Sequence, residues 1–346
     1  MDGRLPLGEM TRQLLLDTSS MMYRAFFAIP VSVTDDQGQP VNALHGYLDM
    51  ASRLISAREP DEIVHVYDAD WRPAARVELF AGYKANRLPD PDGLPEQFVL
   101  LRTIVGAFGM KQAEAPGWEA EDAIGALAAA ASKGDRIEIV TGDRDLIQLV
   151  RDPAVRVLFT RKGVSELDVF DEAAVLAKYG VPADRYVDFA ILRGDPSDGL
   201  PGLYGVGEKT AGLLIEAYPT LEALVKDARS EHRQGAPLRR SAKLRSVIRD
   251  GADYLATMLR LVPIRTDASV RTTTSDRDDA RLDELGERHK LTGPIRRLRH
   301  SIDELQSSRH SHEPPSGLGA RAGEPSPVPP DARPARRASR RSRSAG

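Results

Sequence analysis

The chain has 346 residues, enough for one large domain or two smaller ones with real cores. Its 41% apolar and 29% charged content is that of a soluble globular protein, and the absence of cysteine excludes disulfides and thiolate metal centres, leaving oxygen or histidine ligands of the kind that suit Mg²⁺ or Mn²⁺. The net charge of −3 is uneven: from Arg309 onward eight arginines face Glu313, Glu324 and Asp331, so residues 1–308 carry −8.

The N-terminal "MDGRLPLGEMTRQ" lacks an apolar signal core, and no run of about 18 apolar residues follows. A cytoplasmic protein without a membrane segment is expected. "QLLLD" (13–17) reads as a buried strand ending in an acid, followed by a helix over 19–29 and a loop with Gly38 and Pro40. An amphipathic helix spans 46–57. "EIVHVYDAD" (62–70) is a second buried strand, again ending in acids, and "LPDPDGLP" (88–95) is a loop. Helices are expected over 96–108 and 123–131, and strands over 136–145 ("RIEIVTGDRD") and 155–160. Short buried strands alternating with helices predict a mainly parallel α/β sheet. Helices dominate from 171 to about 261, and the pattern fades after Ile264. Residues after about 306 are rich in Pro, Ser, Gly, Ala and Arg and are expected to be disordered.

Three strands end in carboxylates: Asp17, Asp68, and the pair Asp143 and Asp145. In an open parallel sheet these ends share one edge, where ligands bind. "WEAED" adds Glu119, Glu121 and Asp122 at a helix start, and "GDPSDG" adds Asp195 and Asp198 in a turn. Any single acid of this set is a common cap or turn residue. Crowded together they repel, and divalent cations resolve that cost. His65, on the strand before Asp68, is read as structural.

"LPGLYGVGEKT" places Gly202, Gly205 and Gly207 before a helix that opens with Glu208 and Lys209. Glycines allow close backbone approach, and a helix start with a lysine attracts phosphate, so this is duplex-backbone gripping without sequence reading. "WRPAARVELFAGYKANR" (71–87) interleaves Arg72, Arg76, Lys84 and Arg87 with Trp71, Phe80 and Tyr83, which suits single-stranded nucleic acid. A solvated helix with a buried aromatic face is the plain alternative.

Together "LLLDTSSMMYRAFFA", "YDADWRPAARVELFAGYKANR", "APGWEAEDAIGALA", "IVTGDRDLIQL" and "ILRGDPSDGLPGLYGVGEKTAGLLI" resemble, in order, the 5′→3′ exonuclease / flap endonuclease family, as a stand-alone relative of the N-terminal nuclease domain of bacterial DNA polymerase I. The resemblance covers about residues 13–265. It implies a PIN-like nuclease core over 13–180 with a helical arch near 71–98. A helix-three-turn-helix DNA-binding region follows over 181–265, then a C-terminal extension over 266–305 and the tail over 306–346. It further implies two Mg²⁺ or Mn²⁺ ions, one held by Asp17, Asp68, Glu119 and Glu121 with Asp122 close by, the other by Asp143, Asp145, Asp195 and Asp198. Lys84 and Arg87 match cations that steady the scissile phosphate, Arg24 and Arg76 match basic positions near the site, and Tyr83 matches an aromatic that stacks on a base. Gly202, Gly205, Val206 and Gly207 match the backbone turn that holds duplex DNA, in several relatives through K⁺. The implied partner is DNA with 5′ ends, flaps or nicks, met by a monomer in replication and repair, with neither a membrane nor a small-molecule substrate. Two positions depart from the bacterial pattern: Glu121 stands where Asp is usual, and Gly199 where "SDN" is common. Two other readings remain open, a DNA-junction binder without catalysis and a PIN-type ribonuclease. Loss of acids would mark the first, and the glycine-rich grip argues against the second.

Overall fold

The computed structural model describes residues 11–231 and 235–310. Seven strands build one sheet: β1 (Arg12–Asp17), β2 (Glu62–Tyr67), β3 (Lys111–Glu114), β4 (Arg136–Thr141), β5 (Val155–Lys162), β6 (Glu166–Phe170) and β7 (Arg271–Thr273). Their spatial order is β6-β5-β4-β1-β2-β3-β7. The five inner strands run parallel, and β6 and β7 close the two edges antiparallel. The chain steps from β1 to β2 on one side and returns to β4 on the other, so β1 sits at the reversal. That is where an open parallel sheet leaves its ligand crevice.

Helices α1 (Thr18–Ala28), α2 (Asn42–Arg58), α3 (Ala74–Leu79), α4 (Leu94–Ala107) and α5 (Ala120–Ala130) fall between the early strands. After β6 come α6 (Glu172–Tyr179), α7 (Tyr186–Arg193), α8 (Glu208–Ala217), α9 (Leu221–Arg229), α10 (Ala236–Arg240), α11 (Ala242–Asp250) and α12 (Ala252–Leu261). Past β7, α13 (Asp279–Arg288) and α14 (Thr292–His310) complete the described chain. Strand alternation divides the core. Leu15, Val64, Val66, Ile137 and Ile139 face α5 and the later helices, while Leu14, Leu16, Val140 and Leu158 face α1, α2, α4 and the last two helices. His65 is fully buried, accepts or donates at 2.6 Å to the Tyr47 hydroxyl, and is held neutral by burial, its pKa near 3. None of the described helices is long and apolar enough to cross a membrane.

The expected strands are present, and three more join them. β3 ("KQAE") and β7 ("RTT") are too short and polar to show an apolar run, and β7 is exposed along its length. The stretch 71–98, expected as a helical arch, is six-residue α3, a run of turns over 81–86 and a loop before α4. Pro73, Pro89, Pro91, Gly82 and Gly93 interrupt helix there. α5 begins at Ala120, three residues before the expected start, because Glu119 and Asp122 close its first turn. The segment 266–305 is no loose appendage: Ser301 on α14 bonds Ser52 on α2 at 2.7 Å, and Arg297 pairs with Asp49. α14 continues through 306–310, where a disordered tail was expected. The rest of that tail lies outside the described residues.

Candidate active site

The C-terminal ends of β4, β1 and β2 are neighbours, and each delivers its acid to one cleft of about 1300 Å³. Asp17 ends β1 and caps α1, accepting from the Ser20 amide at 3.1 Å. Its other oxygen accepts from the Thr141 hydroxyl at 2.6 Å. Burial, reinforced by Asp68 and Asp143, pushes its carboxyl up to about 7 despite those two donors. Asp68 follows β2 and takes the Ala120 amide at 2.7 Å, which ties the start of α5 to this strand end. Asp143 follows β4; its amide donates to the Thr141 hydroxyl at 2.8 Å, and its carboxylate accepts from the Asp145 amide at 2.8 Å. Thr141 therefore spans Asp17 and Asp143, a role its place just before "GD" could have suggested.

Glu119, Glu121 and Asp122 share one turn but divide their tasks. Asp122 is fully buried and accepts two bonds from the Arg76 guanidinium, at 2.7 and 2.8 Å. It also accepts the Arg265 amide at 3.0 Å. With those donors filling it, Asp122 braces the fold beside the site, where it was expected close by the metal-holding acids. Arg76, expected as a basic group at the site, is likewise buried and holds Glu119 and Asp122 from behind. Glu119 meets Lys84, Arg76 and the Tyr83 hydroxyl, the last at 2.6 Å. Tyr83 is only 3% exposed, so in this arrangement it orients Glu119 and cannot stack on a base. Phe80 packs on the same core and Arg72 donates to the Tyr83 and Ala81 carbonyls. Of the 71–87 stretch, Trp71, Lys84 and Arg87 reach the cleft. Glu121 lines the cleft; burial, with Asp143, Glu119 and Asp145, raises its pKa well above the ordinary range against the pull of Lys84.

The second acid group lies beside the first. Burial, then Asp143, Asp198 and Asp195, raises the Asp145 carboxyl. Asp198 is pushed to about 6 by burial and by Asp143, Glu119 and Asp195, with Lys84 opposing. Lys84 Nζ sits 3.7 Å from Asp198, and the Lys84 amide donates to the Asp198 carbonyl at 2.9 Å. Burial works against the Lys84 charge, yet Glu121, Glu119 and Asp198 outweigh it and keep the ammonium protonated above its usual range. The Asp195 carboxylate caps the turn by accepting from the Ser197 amide at 2.9 Å. Gly199, where "SDN" was the common pattern, has φ +73 and passes so close to the Gly82 carbonyl that any Cβ would collide. Arg24 lines the cleft near Gly142, its guanidinium donating to the Arg161 carbonyl at 2.9 Å. Tyr23, Arg102 and Lys162 also line it and were not singled out from sequence, because each sits among ordinary helix or strand residues.

Among the described residues, no three acids or histidines are gathered into a ready cation cage. The donor set nevertheless fits divalent cations. Hard oxygens crowd in and beside one cleft, and Asp17, Glu121, Asp145 and Asp198 are pushed toward protonation by burial and by neighbouring carboxylates.

The glycine turn lies directly beyond. Gly202 (φ +65) abuts the Arg193 carbonyl, where a side chain would not fit, and its amide donates to the Tyr254 hydroxyl at 3.0 Å. Leu203 and Val206 are buried anchors. Gly205 and Gly207 face open space, Gly207 caps α8 without a side-chain partner, and Lys209 is exposed in its first turn.

This fold is that of the 5′-nucleases. A structure of T5 5′-exonuclease with divalent metal ions (zinc) bound superposes with a TM-score of 0.57 at 14% identity, covering 86% of this chain and 98% of the other. Two family models then match in succession: the 5′-3′ exonuclease N-terminal resolvase-like domain over residues 12–180, and the 5′-3′ exonuclease C-terminal SAM fold over residues 181–284. The chain belongs to the 5′-3′ exonuclease family. A 5′-3′ exonuclease of Streptomyces coelicolor is 41% identical over 305 residues, covering 82% of this chain and 98% of the relative. DNA polymerase I of Mycobacterium tuberculosis is 41% identical over 269 residues, covering 77% of this chain and 29% of the polymerase.

Proposed function

We propose that this chain hydrolyses DNA phosphodiester bonds as a 5′→3′ exonuclease and flap endonuclease in replication and repair. The observation that carries the reading is the acid wall. Three adjacent parallel strand ends and the start of α5 direct carboxylates to one cleft, with Lys84 and Arg87 at its side, and the 195–198 turn adjoins it through Asp198, 3.7 Å from Lys84 Nζ. Asp17, Asp68, Glu119 and Glu121 would hold one Mg²⁺ or Mn²⁺, and Asp143, Asp145, Asp195 and Asp198 a second, in part through water. Bound there, such ions supply a nucleophile at neutral pH and neutralise charge on the leaving oxygen.

The chain's own residues do the remaining work. Lys84 and Arg87 offset charge that grows on the phosphate, and Arg24 adds a further cation in the same cleft. Arg76 and Tyr83 act through Glu119 as positioning residues. Residues 13–180 carry the chemistry together with Asp195 and Asp198, and the rest of 181–265 grips the duplex through Gly202, Gly205, Val206, Gly207 and Lys209, with K⁺ at the turn. Residues 266–305 brace the core. The protein works as a cytoplasmic monomer on 5′ ends, flaps and nicks, selected by shape.

The test incubates end-labelled 5′-flap, nicked and linear duplex DNA, and matched RNA, with Mg²⁺, Mn²⁺ or EDTA. An Asp143→Ala variant runs alongside. Cleavage from the 5′ side of DNA that is lost in EDTA and in the variant is expected. Cleavage that survives either treatment would sink the two-cation reading, and preference for RNA would sink the DNA reading.

A further inference from the structure

Between the two buried anchors of the glycine turn stands one large outward side chain. Tyr204 is 80% exposed, while Leu203 and Val206 beside it are 6% and 4% exposed. The turn's own packing does not require an aromatic there, since Leu203 packs against Gly251 and holds the turn to α11 and α12. The ring is nevertheless not left to swing alone. The Lys243 ammonium, from the first turn of α11, lies 5.7 Å from its centroid. A cation over an aromatic face biases the ring's direction and keeps a charge at its edge.

The neighbours share one character. Gly205 and Gly207 open onto solvent, the first amides of α8 carry no side-chain cap, and Lys209 is exposed on the same helix start. Bare amides and lysines complement phosphate, and a flat amphipathic ring complements the apolar face of the sugar between phosphates. The charge and the continuity with the turn both point to one occupant.

We propose that Tyr204 and Lys243 form a second contact of the duplex grip. The Tyr204 ring packs on a deoxyribose next to the phosphates held at Gly205–Lys209, and Lys243 takes the following phosphate. The pair makes binding depend on duplex, because only a duplex backbone presents sugar and phosphate at fixed spacing to a ring whose direction its cation biases. This inference rests on the proposed reading of the glycine turn as a DNA grip.

Fluorescence anisotropy of labelled duplex and single-stranded DNA of equal length, in EDTA so that nothing is cut, tests it. Tyr204→Ala should weaken duplex binding about tenfold, the effect of losing one aromatic contact. Single-strand binding should hold unchanged, and Tyr204→Phe should bind like the parent. Lys243→Gln should weaken duplex binding and lower the slope of log affinity against log salt by about one unit. Lys209→Ala reports on the grip itself. If Lys209→Ala weakens duplex binding while Tyr204→Ala and Lys243→Gln do not, the inference fails and the grip stands. If the unmodified chain binds duplex no better than single strand, the grip reading fails and takes the inference with it. Equal losses on both DNA forms in Tyr204→Ala would overturn the duplex dependence.

Discussion

The acid wall and the glycine turn lie a few residues apart and solve opposite problems. At the wall, charge is buried and crowded: Asp17, Glu121, Asp145 and Asp198 all resist ionisation. At the turn, charge is exposed and sparse, and the backbone itself is the recognising surface. Desolvated charges act strongly at short range, which suits bond-making chemistry, whereas exposed ones act weakly and are screened by salt, which suits a reversible hold. The contrast implies that substitutions at the wall act on turnover and stability, and those at the turn on affinity.

The largest expected effect breaks the wall. Asp143→Ala should reduce kcat on flap DNA by about 10³-fold or more, since several kcal/mol of transition-state stabilisation depend on such a donor. Anisotropy should show duplex affinity within about twofold of the parent; a matching loss of affinity would erase the distinction between the two regions. Next is the brace behind the wall. Arg76→Met leaves Asp122 buried without its partner and should lower unfolding free energy by about 3–5 kcal/mol. Urea denaturation measures this, and a loss below about 1 kcal/mol would show that Asp122 finds other donors.

pH sharpens the comparison further. An unfolded Asp loses its proton near pH 4, but in the folded site Asp17 keeps it to about 7 and Asp198 to about 6. Across that window the folded state binds more protons, so stability in EDTA should fall as pH rises from 4 to 7, by about 2–4 °C in Tm per kcal/mol lost. Mg²⁺ should restore Tm more at pH 8 than at pH 5. A Tm that climbs over this interval in EDTA would contradict the crowding. The smallest effect belongs to the turn. Lys209→Ala should leave Tm and saturating kcat alone and weaken duplex binding severalfold, less so at high salt.

Much of this was legible in the sequence because the informative signals are local. "LLLD", "VHVYD" and "IVTGD" each combine a buried run with a terminal acid, and the parallel sheet does the rest by aligning strand ends. What sequence could not assign was which acid faces the cleft. Glu119, Glu121 and Asp122 look alike in a string, and only packing shows that Arg76 reaches back across the chain to fill Asp122. Tyr83 misled for the same reason, since an aromatic beside cations suits a base as well as a core. The short polar β3 and β7 carry no apolar pattern, and their pairing is fixed by neighbours far away in sequence.

One contact described above reaches further than its size. Gly199 lies against Gly82, and the Lys84 amide is bonded to the Asp198 carbonyl, so the strap bearing Lys84 and the acid turn are joined backbone to backbone. From that turn the chain passes within nine residues to Gly207, pinned on the way where the Leu203 amide meets the Leu192 carbonyl. Under the proposed function, cutting chemistry and duplex hold then share one short ruler. The position of the incision along the strand would be measured by covalent spacing instead of by reading bases, and a residue inserted between Gly199 and Gly202 would shift the length of the product.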